Sequence, residues 1–170
     1  GTSASSGNAS PAGAGLYIES GSLSVYGGSI SYNRIAWTGA LGGGGIYSRL
    51  GHVYLYGGTV DHNDATAPGS EGGGILAAGG LVKFMSLSTA RISANQASSG
   101  GGVCLRGEAD FQMSGGEIGG DKADEGNRAT GNGGGILAAA RNRAFTMTGG
   151  RVSHNRSEGK GGGERPDRAH

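Results

Sequence analysis

The sequence predicts an all-β solenoid, a parallel β-helix of about five coils of 28–33 residues with three short strands per coil. Three observations predict it. First, Gly43-Gly44-Gly45-Ile46 recurs as Gly72-Gly73-Gly74-Ile75, Gly100-Gly101-Gly102-Val103 and Gly133-Gly134-Gly135-Ile136, with a weaker copy at Gly13-Ala14-Gly15-Leu16 and a broken one at Gly161-Gly162-Gly163-Glu164. A period near 30 residues marks units that bury their apolar faces only against one another. Second, each period holds runs with period-2 alternation, such as Val53-Tyr54-Leu55-Tyr56 and Phe111-Gln112-Met113-Ser114, broken by glycine pairs. That is strand-and-turn chemistry and leaves no room for a helix of three turns. Third, no hairpin-length return joins these strands, so equivalent strands of successive coils must run parallel.

Taken in order, residues 1–12 form a small-residue N-terminal arm, in which Asn8-Ala9-Ser10 reads as the closing part of a preceding coil. Residues 13–163 form the β-helix and 164–170 a C-terminal tail. The first strand of each coil follows the glycines and supplies an inward row of Leu16, Ile46, Ile75, Val103 and Ile136. The second strand supplies Val25, Leu55, Leu87, Met113 and Met147. The third ends at asparagine, as in Ile92-Ser93-Ala94-Asn95, and supplies Ile30, Val60, Ile92, Ile118 and Val152. Each buried aliphatic or Met side chain contributes about 1.5 to 3 kcal/mol, so three such rows support an independent fold. The longest insertion, Gly119–Gly126, is expected to bulge from a corner.

Composition excludes several classes. Forty glycines come in clusters at fixed phase and not as Gly-X-Y, and only three prolines occur, which excludes collagen. A net charge of +1 points neither to nucleic acid nor to a membrane surface, and no apolar run approaches the length of a membrane span. Cys104 is the sole cysteine, so a disulfide framework and a cysteine-based zinc site are excluded. No cofactor is expected.

The glycine-led and aliphatic-x-x-Asn landmarks resemble the repeats of polymorphic outer-membrane proteins and related autotransporter-type β-helix passengers, over roughly residues 8–163. Their paired motifs are Gly-Gly-Ala-aliphatic and Phe-x-x-Asn. Here Gly stands for the Ala, and Ile or Val for the Phe. The resemblance implies a bacterial, secreted or cell-surface adhesion protein, and, with the general crossover preference, a right-handed coil.

Asn33, Asn63, Asn95, Asn127 and Asn155 occupy one repeat position, where Asn tolerates a left-handed backbone and can bond its stacked neighbour, giving a structural ladder at a turn. His62 and His154 stand just before two of them, about 14 Å apart over three coils, too far to share a metal. Asp121, Asp124 and Glu125 offer hard oxygen ligands for Ca²⁺, but the motif is not repeated, and an acidic solvent loop accounts for it. Glycoside hydrolysis needs two carboxyls about 5 to 9.5 Å apart on one face. Asp61 and Asp64, and Glu108 and Asp110, have no acid at the equivalent site one coil away, so the chain reads as a non-enzyme. A polysaccharide lyase or hydrolase is the lesser alternative.

All six tyrosines and Trp37 fall in the first two full coils. Alternation points Tyr26, Tyr54 and Tyr56 outward, and Tyr17 and Tyr47 head an outward row continued by Leu76, Cys104 and Leu137. These residues are the expected contact surface, for a glycan in the binding-module alternative or for a host protein. Loops folded back over that stripe are the competing expectation. The glycines at 161–163 open a new coil in phase with Asn8-Ala9-Ser10, so the expected partner is a second copy stacked head to tail in a filament, or else the chain is cut from a longer array.

Overall fold

The computed structural model describes residues 7–39, 41–139 and 144–161, so residues 1–6 of the arm and the tail at 164–170 lie outside the described residues. The chain is an all-β solenoid of about five turns, with every strand pair parallel and no helix among the described residues. No helix there is long and apolar enough to cross a membrane.

Three sheets run along the molecule. The glycine-led sheet stacks Leu16–Ile18, Ile46–Ser48, Ile75–Ala77, Val103–Leu105 and Ile136–Ala138. The second and third strands of each coil share one wide sheet. They are separate in the early coils, as in His52–Leu55 and Thr59–Asp61, and fuse into Asp110–Gly119 and Phe145–Ser153 in the last two. The third sheet is narrow and comes from two-residue strands just after each asparagine: Arg34–Ile35, Asp64–Ala65, Gln96–Ala97, Arg128–Ala129 and Arg156–Ser157. Ala9–Ser10 pairs below the first of these.

Registers place like residues over like. Leu16, Ile46, Ile75, Val103 and Ile136 form one column, and Ile30, Val60, Ile92, Ile118 and Val152 another. The remaining row differs from expectation at one position: Val25, Leu55, Phe84, Met113 and Met147 are in register, and Leu87 is not among them. Phe84 is fully buried, whereas Leu87 is 95% exposed at a turn with φ 62°. A parallel column of Leu23, Val53, Val82, Phe111 and Phe145 completes the interior. Phe111 and Phe145 stack at 4.9 Å between centroids.

The corners explain the glycines. In the second coil Gly43 has φ 69°, the left-handed region where only glycine is free of strain. A Cβ on Gly44 would meet Gly73 O at 2.6 Å, and one on Gly45 would meet the Asn63 side-chain amide at 2.9 Å. The triplet therefore lets the backbone turn and lie directly on the next coil and on the asparagine beside it. At the asparagine corner the left-handed residue is the one before it, namely Tyr32, His62, Ala94 and His154 with φ 52° to 58°, and not the asparagine itself. Each such residue costs about 1–2 kcal/mol, offset by what the asparagine bonds.

That ladder is saturated. Asn63 Nδ2 donates to Asn95 Oδ1 at 3.0 Å and to Ile30 O at 2.8 Å, while its Oδ1 accepts the backbone N–H and the amide of Asn33 at 3.0 and 2.9 Å. The pattern repeats through Asn95, Asn127 and Asn155, and Asn8 joins below Asn33. No buried side-chain polar atom lacks a partner among the described residues.

Candidate functional surface

Two columns of aromatic and apolar side chains leave the first two coils on the outside of the sheets, and they have different fates. In the glycine-led sheet, Tyr17, Tyr47, Leu76, Cys104 and Leu137 share one outward column. Tyr47, Leu76 and Cys104 are nonetheless buried, with Ala12, Ala78 and Leu137 packed against them. The segment before each glycine triplet returns across this stripe, and its residues Ala12, Gly42, Glu71 and Ser99 bridge one another in parallel. Alternation gave their direction correctly, but a second layer covers them, so Tyr47 and Leu76 do not belong to an accessible contact surface. Tyr17 remains half exposed and edges onto Tyr47 at 5.3 Å, with its hydroxyl on Glu19, which also pairs with Arg49.

Above Cys104 the cover is ionic. Glu71 takes the Arg106 guanidinium through Nε at 2.6 Å and accepts the Cys104 thiol at 3.7 Å. Burial first, and the Glu71 charge second, push the thiol pKa up to about 12.

On the wide sheet the aromatics stay accessible. Tyr26 and Tyr56 stack at 4.5 Å with 18° between planes, and Tyr26 is 73% exposed. Tyr54 is half-buried in the column Ser24, Tyr54, Lys83, Gln112 and Thr146, with His52 beside it at 6.2 Å. Tyr32 stacks on His62 at 4.9 Å, and His62 Nδ1 lies 2.7 Å from Asp61 Oδ2. Trp37 stands exposed on the loop after the first asparagine corner.

Higher on the same face the side chains are charged and alternate in sign. Arg91, Glu117 and Arg151 are register neighbours. Glu117 accepts Arg91 Nε at 3.1 Å and Arg151 at 2.7 Å. Asp121, from the Gly119–Gly126 insertion, is gripped by Arg151 and by Arg91 at 2.9 Å, and these guanidiniums, Arg151 foremost, hold its carboxyl below the usual range. Glu125 turns its carboxylate onto the Asp121 backbone N–H at 3.0 Å. Asp121 and Glu125 are thus spent on pinning the insertion, and Asp124 points to solvent. No group of three metal-ligating side chains occurs among the described residues.

The acids weighed for hydrolysis also have structural work. Asp64 accepts the Thr66 backbone N–H and hydroxyl at 2.8 and 2.6 Å, and Asp110 accepts the Ala144 N–H at 2.8 Å. His154 Nδ1 donates to Gly120 O at 2.7 Å.

Sequence reading missed the outside of the narrow sheet. There a shallow groove of about 210 Å³ is lined by Gln96, Arg128, Thr130, Arg156 and Glu158, with Thr66 at one side. The signal was present, since Arg128 and Arg156 each follow a ladder asparagine and so share a repeat position. Two-residue strands carry no readable period.

Comparison of the chain with protein-family models, with curated proteins and with solved structures returns no match.

Proposed function

We propose that this chain is a non-enzymatic structural and adhesive module, extracellular or on a bacterial cell surface, of the polymorphic outer-membrane or autotransporter-passenger type, and that it stacks head to tail on further copies of itself. One observation carries the reading. In the last described coil Phe145, Met147 and Val152 are 49, 45 and 41% exposed, whereas their register partners Phe111, Met113 and Ile118 in the coil beneath are at 0, 1 and 0%. This coil leaves open the cross-section that the coil beneath it buries, together with an open concavity of about 560 Å³ around Ile136, Phe145, Val152 and Asn155. The surface that fits it is another coil of the same register. The opposite face offers one, where Leu23 and Ile30 are only partly covered. Head-to-tail addition is heterologous, and where its rotation does not close it gives a filament.

Sedimentation velocity of the untagged chain over a wide concentration range, with electron microscopy, tests this. Concentration-dependent growth that Met147→Glu abolishes is expected. A strictly monomeric species at the highest concentration refutes it.

The Tyr26–Tyr56 stack favours a second reading, a glycan contact on the wide sheet, because sugar rings pack on accessible aromatic surface. A polysaccharide panel tests it: saturable binding lost in a Tyr54→Ala, Tyr56→Ala variant supports it, and no binding at millimolar sugar removes it.

A further inference from the structure

Ile35, Ala65 and Ala97 of the narrow sheet pack together in the interior and Ala129 is buried in register with them, so the residue before each points out. Register makes these one column: Arg34, Asp64, Gln96, Arg128 and Arg156. Two arginines therefore occupy successive rungs, about 4.8 Å apart along a parallel sheet. Like charges directly across adjacent strands repel, and such pairs are avoided unless something intervenes. Elsewhere on this molecule the guanidiniums at comparable positions have carboxylates: Arg49 has Glu19, Arg106 has Glu71, and Arg91 and Arg151 share Glu117 and Asp121. Arg128 and Arg156 make no side-chain hydrogen bond or ion pair to any described residue. Asp64 lies two rungs below Arg128 and is committed to Thr66. Glu158 lines the groove and bonds neither guanidinium. The Gln96 amide and the Thr130 hydroxyl also face the groove without a partner among the described residues.

We propose that this groove binds a doubly charged oxyanion, a sulfate or phosphate group, bridged by the guanidiniums of Arg128 and Arg156, with Gln96 and Thr130 donating to its remaining oxygens. Guanidinium forks match such an oxyanion, and one dianion between two rungs turns a repulsive pair into two charge-assisted contacts. The groove is larger than the oxyanion itself, which leaves space for the sugar or alkyl group carrying it. Two arginines flanked by Asp64 and Glu158 do not make the basic stripe that a nucleic-acid backbone requires. The site is separate from the tyrosine face, and although its upper rung, Arg156, adjoins the open end at Asn155, its test reads anion binding and not assembly.

The full chain with ¹⁵N-labelled arginine, titrated with sodium sulfate and with sodium phosphate at ionic strength held constant by sodium chloride, tests the proposal through its Nε–Hε NMR signals. Saturable shifts confined to Arg128 and Arg156 at millimolar anion are expected. Arg128→Gln, at an exposed position with the thermal transition checked, should weaken binding about tenfold, and Glu158→Gln should tighten it. A sulfated glucan oligosaccharide forms the second arm. Tighter binding than inorganic sulfate assigns the anion to a glycan, and equal binding assigns it to the free ion. Shifts spread evenly over all arginines, or an Arg128→Gln variant that binds as the parent does, would overturn the site.

Discussion

Asn95 and Asn127 meet through one oxygen: the Oδ1 of Asn127 accepts the Asn95 backbone N–H at 3.0 Å and the Asn95 side-chain amide at 2.9 Å. The same two bonds reach Asn95 from Asn63, and Asn95 also donates to Val60 O at 2.8 Å. Asn95→Ala deprives three buried groups of partners, at about 1–3 kcal/mol each. A loss of at least about 3 kcal/mol in urea unfolding is expected, and a change below about 1 kcal/mol would contradict a saturated ladder.

Asn95→Asp makes a sharper test because it is nearly isosteric. Its second oxygen faces Val60 O and Asn127 Oδ1, so burial and lone-pair crowding raise the folded pKa above the unfolded value of about 3.9. The protonated form restores one of the two donations the amide made, to Val60 O or to Asn127 Oδ1. Stability should therefore be nearest the parent's below about pH 3.9 and fall as pH rises through the folded pKa. Unfolding midpoints of variant and parent, compared at pH 3.5 and pH 7, report the sign.

Asp121 behaves oppositely. Its carboxyl is held low by Arg151 and Arg91, so its clamp on the Gly119–Gly126 insertion is complete above the unfolded pKa and is lost as pH falls through the folded one. The pairs are solvent-exposed, and local order is a better readout than global stability. The Ala94 amide, which donates to Glu125 O at 2.7 Å, should exchange with solvent faster in Asp121→Asn, in acid and at high salt.

Cys104 should be nearly inert in the native chain. With a thiol pKa of about 12, roughly one molecule in ten thousand carries a thiolate at pH 8, and the side chain is fully buried. Alkylation should follow global unfolding in the parent, and should accelerate at least tenfold in Glu71→Ala, where the cover over the stripe is opened. Equal rates in both would show that Glu71 is not part of the cover.

Phe84 and Leu87 lie three residues apart and should respond in opposite directions. Phe84→Ala should cost about 3–5 kcal/mol, as for a fully buried aromatic. Leu87→Gly should stabilise by up to about 1 kcal/mol, since a left-handed leucine exposed to solvent is relieved at no loss of packing. Thermal or urea unfolding of the pair of variants checks both signs.

The contrast also shows what local pattern can convey. The glycine-led column and the Ile30 to Val152 column were legible because each sits at a fixed distance from a landmark that the backbone itself requires. The third coil has no glycine pair between its second and third strands, so Leu87 was aligned where Phe84 belongs. Tyr47 and Leu76 failed for another reason: alternation reports which way a side chain points, and nothing in a strand's own sequence says whether a neighbouring segment returns over it. The Arg128 and Arg156 groove is a cross-coil property, created by two rungs meeting.

Side-chain bonds of the ladder join residues 25 to 37 positions apart, and every strand pairs with its equivalent one coil away. Contacts are thus neither local nor spread over the whole chain. Folding must close one loop of about thirty residues and then repeat that step, each finished coil serving as the template on which the next is laid. Under a pulling force the same arrangement lets an outer coil peel away while the coils beneath keep their own pairings, so such a molecule yields in steps of about thirty residues.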